Sequence, residues 1–147
     1  MPNKKIIIGA DHRGFHLKSK LVADLKSRGY EVIDKGDGKL DPDDDYPQFA
    51  SRVVRELLDI GANATGILIC GSGQGMAMSA NRHKGIRAAV VWDKNQARLA
   101  RNDDDANVLA LPADIFENEL EKALGIIETW LNTPYESIAR RARRIKE

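Results

Sequence analysis

Short apolar runs alternate along this chain with longer stretches whose apolar positions recur every three to four residues. The first run, Ile6 to Ala10, reads as a buried strand. Lys18 to Arg28 follows as a helix, with Leu21, Val22 and Leu25 on one face beside Leu17, and Gly29 stops it. Glu31 to Asp34 reads as a second strand. Residues 35–45, rich in Gly, Asp and Pro, form a loop. Pro47 opens a helix to about Asp59, with Gly61 as its stop. Gly66 to Cys70 is a third strand running into Gly71-Ser72-Gly73-Gln74-Gly75, and a helix spans Gln74 to Arg82. Ile86 to Trp92, a helix over Asn95 to Arg101, and a strand over Asn107 to Leu111 continue the alternation. A long helix over Ile115 to Leu131 and a basic helix over Ser137 to Lys146 complete it.

Strands alternating with helices predict parallel βαβ units and an open α/β sheet covered on both faces. In such folds ligands bind outside the carboxyl ends of the strands. Asp11-His12 and Cys70 to Gly75 follow strands directly. The 102–105 stretch lies at a helix end, which is expected to reach the same rim.

A chain of 147 residues favours a single domain spanning 1–147. Aromatic residues make up only 5% of it, so the core must be aliphatic. The net charge of +1 lacks the basic excess of a dedicated nucleic-acid protein. One cysteine excludes an intrachain disulfide. The run at Ile6 is too short for a signal-peptide core, and no stretch approaches a membrane span. These features point to a cytoplasmic protein with neither nucleic acid nor membrane as partner.

Three glycines in five residues between a strand and a helix let the backbone turn sharply and point N–H groups one way, a pocket for a phosphate or a developing oxyanion. A tight turn without a ligand is the alternative. A dinucleotide fingerprint is disfavoured, because the loop follows the third strand and Met78 stands where the later glycine would fall. Free cysteine is ordinarily a small buried hydrophobe. Beside such a loop, however, a thiolate is stabilised and can act as a base. No second Cys or His pair offers metal-ligand spacing. Asp11 and His12 are either sugar and phosphate contacts or a helix cap with an incidental histidine. His16 and His83 read as solvated. Arg140 and Arg144 share a helix face suited to a phosphate dianion, with a solvated basic face as the alternative.

Six segments taken together resemble the ribose-5-phosphate isomerase B and galactose-6-phosphate isomerase family: Gly9-Ala10-Asp11-His12-Arg13-Gly14-Phe15, Asp45-Tyr46-Pro47, Ile69 to Gly75, Ala80-Asn81-Arg82, Gly85-Ile86-Arg87-Ala88 and Asn107-Val108-Leu109. They follow the family's order over nearly the whole chain. The resemblance implies a Rossmann-like three-layer α/β/α sandwich with a five-stranded parallel sheet and a basic C-terminal helix. It implies a homo-oligomer, a dimer or tetramer, and isomerisation of a sugar phosphate through an enediolate with neither metal nor cofactor.

The family's catalytic cysteine falls on Cys70. Some relatives use a glutamate just after the loop instead, where this chain has Met76. The anion hole falls on Gly71, Gly73, Gln74 and Gly75. Ser72 matches the hydroxyl residue that helps proton movement between O1 and O2. Asp11, Tyr46 and Asn81 fall on substrate-site positions. His12, Arg140 and Arg144 match phosphate contacts, the two arginines reaching the neighbouring subunit's site. Three departures stand out. Asp103 and Asp104 replace the histidine and asparagine of relatives that open a furanose ring, and Asp114 replaces an arginine phosphate contact found in some relatives. Either Asp103 becomes the ring-opening acid/base, its pKa lifted by Asp104 and Asp105, or the substrate has no ring to open, as in a tetrose 4-phosphate, or a larger sugar is used in its open form. Loss of catalysis with retained sugar-phosphate binding is the competing outcome. An RNA-binding role would rest on the basic helix alone.

Overall fold

The computed structural model describes residues 4–147. Five strands, β1 (Lys5–Ala10), β2 (Val32–Asp34), β3 (Ala64–Cys70), β4 (Ala88–Val90) and β5 (Val108–Pro112), form one wholly parallel sheet in the order β2-β1-β3-β5-β4. Seven helices connect and follow them: α1 (Phe15–Ser27), α2 (Tyr46–Ile60), α3 (Gln74–Ala80), α4 (Lys94–Asp104), α5 (Ala113–Phe116), α6 (Leu120–Asn132) and α7 (Ala139–Lys146).

The two-residue period of the strands divides the core into two layers. Ile6, Ile8, Ile67, Ile69, Leu109 and Leu111 face α1, α4 and α6, where Leu21, Ala97 and Trp130 are buried against them. Ile7, Leu68, Cys70 and Val108 face α2 and α3, against Phe49, Val53 and Met76. Helices cover both faces, so the expected three-layer sandwich is present. No helix among the described residues is long and apolar enough to cross a membrane.

Several boundaries differ from the sequence pattern for identifiable reasons. α1 starts three residues early, because the Asp11 carboxylate accepts the N–H groups of Arg13 (3.0 Å) and Gly14 (3.2 Å) and turns the chain at once. β4 is only three residues long. As an edge strand it pairs with β5 alone, and the N–H of Arg87 before it is met by the Asn107 side chain. The expected helix over Ile115 to Leu131 breaks at 117–119 into α5 and α6, where a polar Glu-Asn-Glu stretch leaves the helical conformation.

The chain runs from β1 outward to β2, then back across β1 to β3. The carboxyl ends of β1 and β3 therefore flank a topological switch point, the crevice where α/β sheets hold ligands.

Candidate active site

Asp11 and the Cys70 loop meet at that crevice. The Asp11 N–H bonds the carbonyl of Ile69 at 3.3 Å, which sets the carboxylate beside the residue before Cys70. Burial pushes the Asp11 carboxyl above its ordinary range, opposed by the N–H groups of Gly14 and Arg13 and by His12. Cys70 ends β3 opposite Pro112 and is 5% exposed, its side chain bordering the apolar layer under α2 and α3.

Each loop glycine admits a neighbour that a side chain would displace. The Arg13 guanidinium lies where a Gly71 Cβ would sit, and the Tyr46 ring packs on Gly75 with its nearest carbon 2.7 Å from that Cβ position. Gly73 has φ of 79°, a left-handed conformation that favours glycine. The Gln74 N–H donates to the Ser72 hydroxyl oxygen at 3.2 Å, leaving the hydroxyl hydrogen free. Among the described residues, the N–H groups of Gly71, Ser72 and Gly73 meet no protein acceptor. A groove of about 290 Å³ opens over Gly71, Ser72 and Gln74, walled by Val90, Trp92 and Ile115.

His12 is held in place by Asp44. One oxygen of Asp44 accepts both its backbone N–H (2.9 Å) and its ring Nδ1 (2.9 Å). The Asp44 hydrogen bond raises the His12 pKa, so the ring is held toward the imidazolium form. Asp44 was not singled out by sequence reasoning, because five residues of 41–45 include four aspartates and nothing in their pattern selects one. Arg13 was equally unmarked. It reaches across the loop to Asp114 at 2.5 Å, and the Asp114 N–H in turn bonds the Gly71 carbonyl at 2.9 Å. A further residue, Lys18, anchors the 35–45 loop by donating to both Asp34 oxygens and to the Asp37 carbonyl.

Other expected residues lie elsewhere in this chain. α4 descends from the end of β4 toward the start of β5, so its last turn sits at the amino rim and not, as expected, at the Cys70 rim. There the Asp104 carbonyl accepts from Arg87, and Asp105 borders a cavity with Lys4, Ala64 and Gly85. The five residues of β5, at about 3.3 Å each, separate the rims by roughly 17 Å. The acidic run is also not a cluster of bare like charges. Asp103 pairs with Arg141 at 3.0 Å and accepts from Asn102, and Asp105 pairs with Arg101 at 3.0 Å. Like-charge repulsion, the expected means of making Asp103 a proton donor, is thus countered by guanidinium groups. Asn81 bonds the N–H and carbonyl of Ala88 with its own amide (2.7 and 2.9 Å), tying down the start of β4. Arg140 and Arg144 are exposed on α7 and have no intrachain ion-pair partner among the described residues. His16 is exposed, as expected, whereas the His83 ring is half-buried against the Ala80 carbonyl at 3.3 Å. No group of three or more metal-ligating side chains occurs among the described residues.

Comparison with known proteins places this geometry in context. The ribose/galactose isomerase family model matches residues 6–147. Ribose-5-phosphate isomerase B of Escherichia coli is 44% identical over 90% of this chain and 87% of that protein. A probable ribose-5-phosphate isomerase B of Mycoplasma pneumoniae is 41% identical over 97% and 91%. The crystal structure of a ribose 5-phosphate isomerase from Thermotoga maritima superposes with a TM-score of 0.90 at 42% identity, covering 97% of this chain and 95% of that one. The Mycoplasma genitalium enzyme with bound ribulose-5-phosphate superposes at 0.89 with 37% identity, covering 97% and 91%. The chain belongs to the ribose/galactose isomerase family.

Proposed function

We propose that this member of the family is a cytoplasmic, metal-independent aldose–ketose isomerase acting on sugar phosphates of the ribose 5-phosphate/ribulose 5-phosphate type, with Cys70 as the base. The observation that carries this reading is Cys70 at the switch point, next to three unpaired loop N–H groups and one strand from Asp11. Cys70 as thiolate removes the C2 proton of the aldose. The C2–H electron pair becomes the C1–C2 double bond, and the carbonyl pair moves onto O1, which the loop N–H groups receive. Ser72, with its hydroxyl hydrogen free, passes the O2 proton to O1. Cys70 then returns its proton to C1, leaving the ketose. Asp11 and Tyr46 bond substrate hydroxyls.

A second copy completes the site. Asp103 and Asp104 stand at the rim opposite their own Cys70, and Arg140 and Arg144, which meet no intrachain ion-pair partner among the described residues, suit a phosphate held across a subunit boundary. The pairing of Asp103 with Arg141 supports substrates that arrive without a ring, tetrose 4-phosphates or open-chain forms, beside ribose 5-phosphate. The same pairing supports the competing reading of a binding protein that has lost catalysis.

The test is a panel of four-, five- and six-carbon aldose phosphates followed in deuterated water. Isomerisation with deuterium entering at C1, abolished in Cys70→Ala, is expected. Tight binding of every sugar without exchange would replace the enzyme with the binding protein. Undiminished exchange in Cys70→Ala would remove Cys70 as base.

A further inference from the structure

Arg13 has no place in the mechanism above, yet it occupies the roof of the loop. Its Nη1, Nε and Cζ atoms fill the space beside Gly71 that any Cβ would take, one residue from Cys70. Among the described residues, only its Nη2 is engaged, with Asp114. The anchoring is mutual: the Asp114 backbone is tied to the Gly71 carbonyl, so the carboxylate and the loop move as one unit. Arg13 is 54% exposed and Asp114 51%, so the remaining guanidinium donors are open to solvent beside Gly71, and Asp114 itself lines the groove over the loop.

We propose that Arg13 is a catalytic residue whose guanidinium, latched over the glycine loop by Asp114, bonds the oxyanion formed at O1 when Cys70 removes the substrate proton. The inference rests on the isomerase reading and deepens it. A fixed guanidinium suits an oxygen that gains charge during the reaction, because its donors are already aimed and its charge cannot be lost near neutral pH. The substrate's phosphate is the other anion available. It is the poorer match, since Asp11, Asp44 and Asp114 set three carboxylates against His12 and Arg13 at this rim, and a dianion there meets more repulsion than a single forming charge.

The experiment measures kcat, KM and solvent-deuterium incorporation for wild type, Arg13→Ala, Arg13→Lys and Asp114→Asn, with ribose 5-phosphate. Arg13→Ala is expected to lose about 10- to 100-fold in kcat with KM changed less than about threefold. Added guanidinium chloride at millimolar concentration should restore several-fold of that loss in Arg13→Ala and none in wild type. Arg13→Lys should retain an intermediate rate, and Asp114→Asn should lose several-fold in kcat as the latch is released. Unchanged thermal melting of the variants excludes a folding effect. A kcat within twofold of wild type in Arg13→Ala overturns the proposal. So does a raised KM at unchanged kcat, which would assign Arg13 to the phosphate. Absence of isomerisation by wild type overturns the isomerase reading itself, whereas isomerisation and deuterium incorporation at equal rates in wild type and Arg13→Ala overturn Arg13 alone.

Discussion

Lys18 and Asp34 form an ion pair whose two halves are buried unequally, which makes the cost of breaking it directional. The Lys18 side chain is 2% exposed, with its three ammonium protons directed at Asp34 Oδ1 (3.1 Å), Asp34 Oδ2 (3.0 Å) and the Asp37 carbonyl (3.0 Å). Asp34 is 33% exposed and also accepts the Gly36 N–H at 2.8 Å. Removing one partner of a buried pair costs about 3–5 kcal/mol, most of it the penalty on the charge left behind. In Asp34→Ala the orphan is an enclosed ammonium, so the loss should fall at that upper range. In Lys18→Met the orphan is a carboxylate that water reaches and Gly36 still bonds, and the methionine fills the channel, so about 2 kcal/mol is expected. The double variant Lys18→Met/Asp34→Ala should recover much of the difference, since neither charge remains. Urea unfolding of the four proteins gives the cycle. If Lys18→Met proves the more damaging single change, unequal burial does not govern the pair and the reasoning is wrong.

Three further outcomes follow from the site. His12 should titrate above the ordinary histidine value of about 6.5, and Asp44→Asn should bring it down by NMR. Because the folded pKa is raised, the stabilisation from this contact is full below pH 6.5 and fades as pH rises through the folded value, a slope that Asp44→Asn should flatten. Gly73→Ala should cost about 1–2 kcal/mol in thermal or chemical unfolding through its positive φ, and its Cβ would also press on Val90 at 3.3 Å. Finally, a mixture of Cys70→Ala with Arg140→Ala/Arg144→Ala, unfolded and reassembled together, should regain activity that neither has alone; two inactive parents giving an inactive mixture would argue against a shared site.

Much of this architecture was legible in the sequence, for a local reason. The strands Ile6 to Ala10 and Gly66 to Cys70 are unbroken apolar runs ended by polar or glycine residues, so strand type, succession along the chain and the rim carrying Cys70 followed from pattern, while the order within the sheet did not. Gly71, Gly73 and Gly75 were visible as a loop, and the structure supplies the neighbours they admit: Arg13, Val90 and Tyr46. What could not be read were pairings between distant residues. His12 with Asp44, Arg13 with Asp114 and Lys18 with Asp34 depend on which loops the crossovers bring together, and no spacing encodes that. The 102–105 stretch was assigned to the wrong rim for the same kind of reason. A helix of eleven residues crosses the sheet's full height, so its end belongs to the rim opposite its start.

That reversal changes how the acidic substitutions should be weighed. Were Asp103 at its own Cys70 rim, its carboxylate would act directly on the reacting sugar, and replacing a histidine there would touch the proton-transfer step. At the amino rim it is instead joined to α7 through Arg141, next to Arg140 and Arg144, which meet no ion-pair partner among the described residues. The end of α4 and the tail helix thus form one unit, pinned further by the Glu136 N–H on the Asn102 carbonyl and by Arg101, buried against Trp130, on the Thr133 carbonyl. A change at Asp103 therefore adjusts where Arg140 and Arg144 stand. Under the proposed mechanism the carboxyl rim carries the proton transfer, through Cys70, Ser72 and the loop N–H groups. Under the same proposal the choice of sugar length and ring state falls to the amino-rim unit of a second copy. Substitutions at Asp103 should accordingly shift the ranking of four-, five- and six-carbon substrates more than they shift deuterium exchange on whichever substrate is used best.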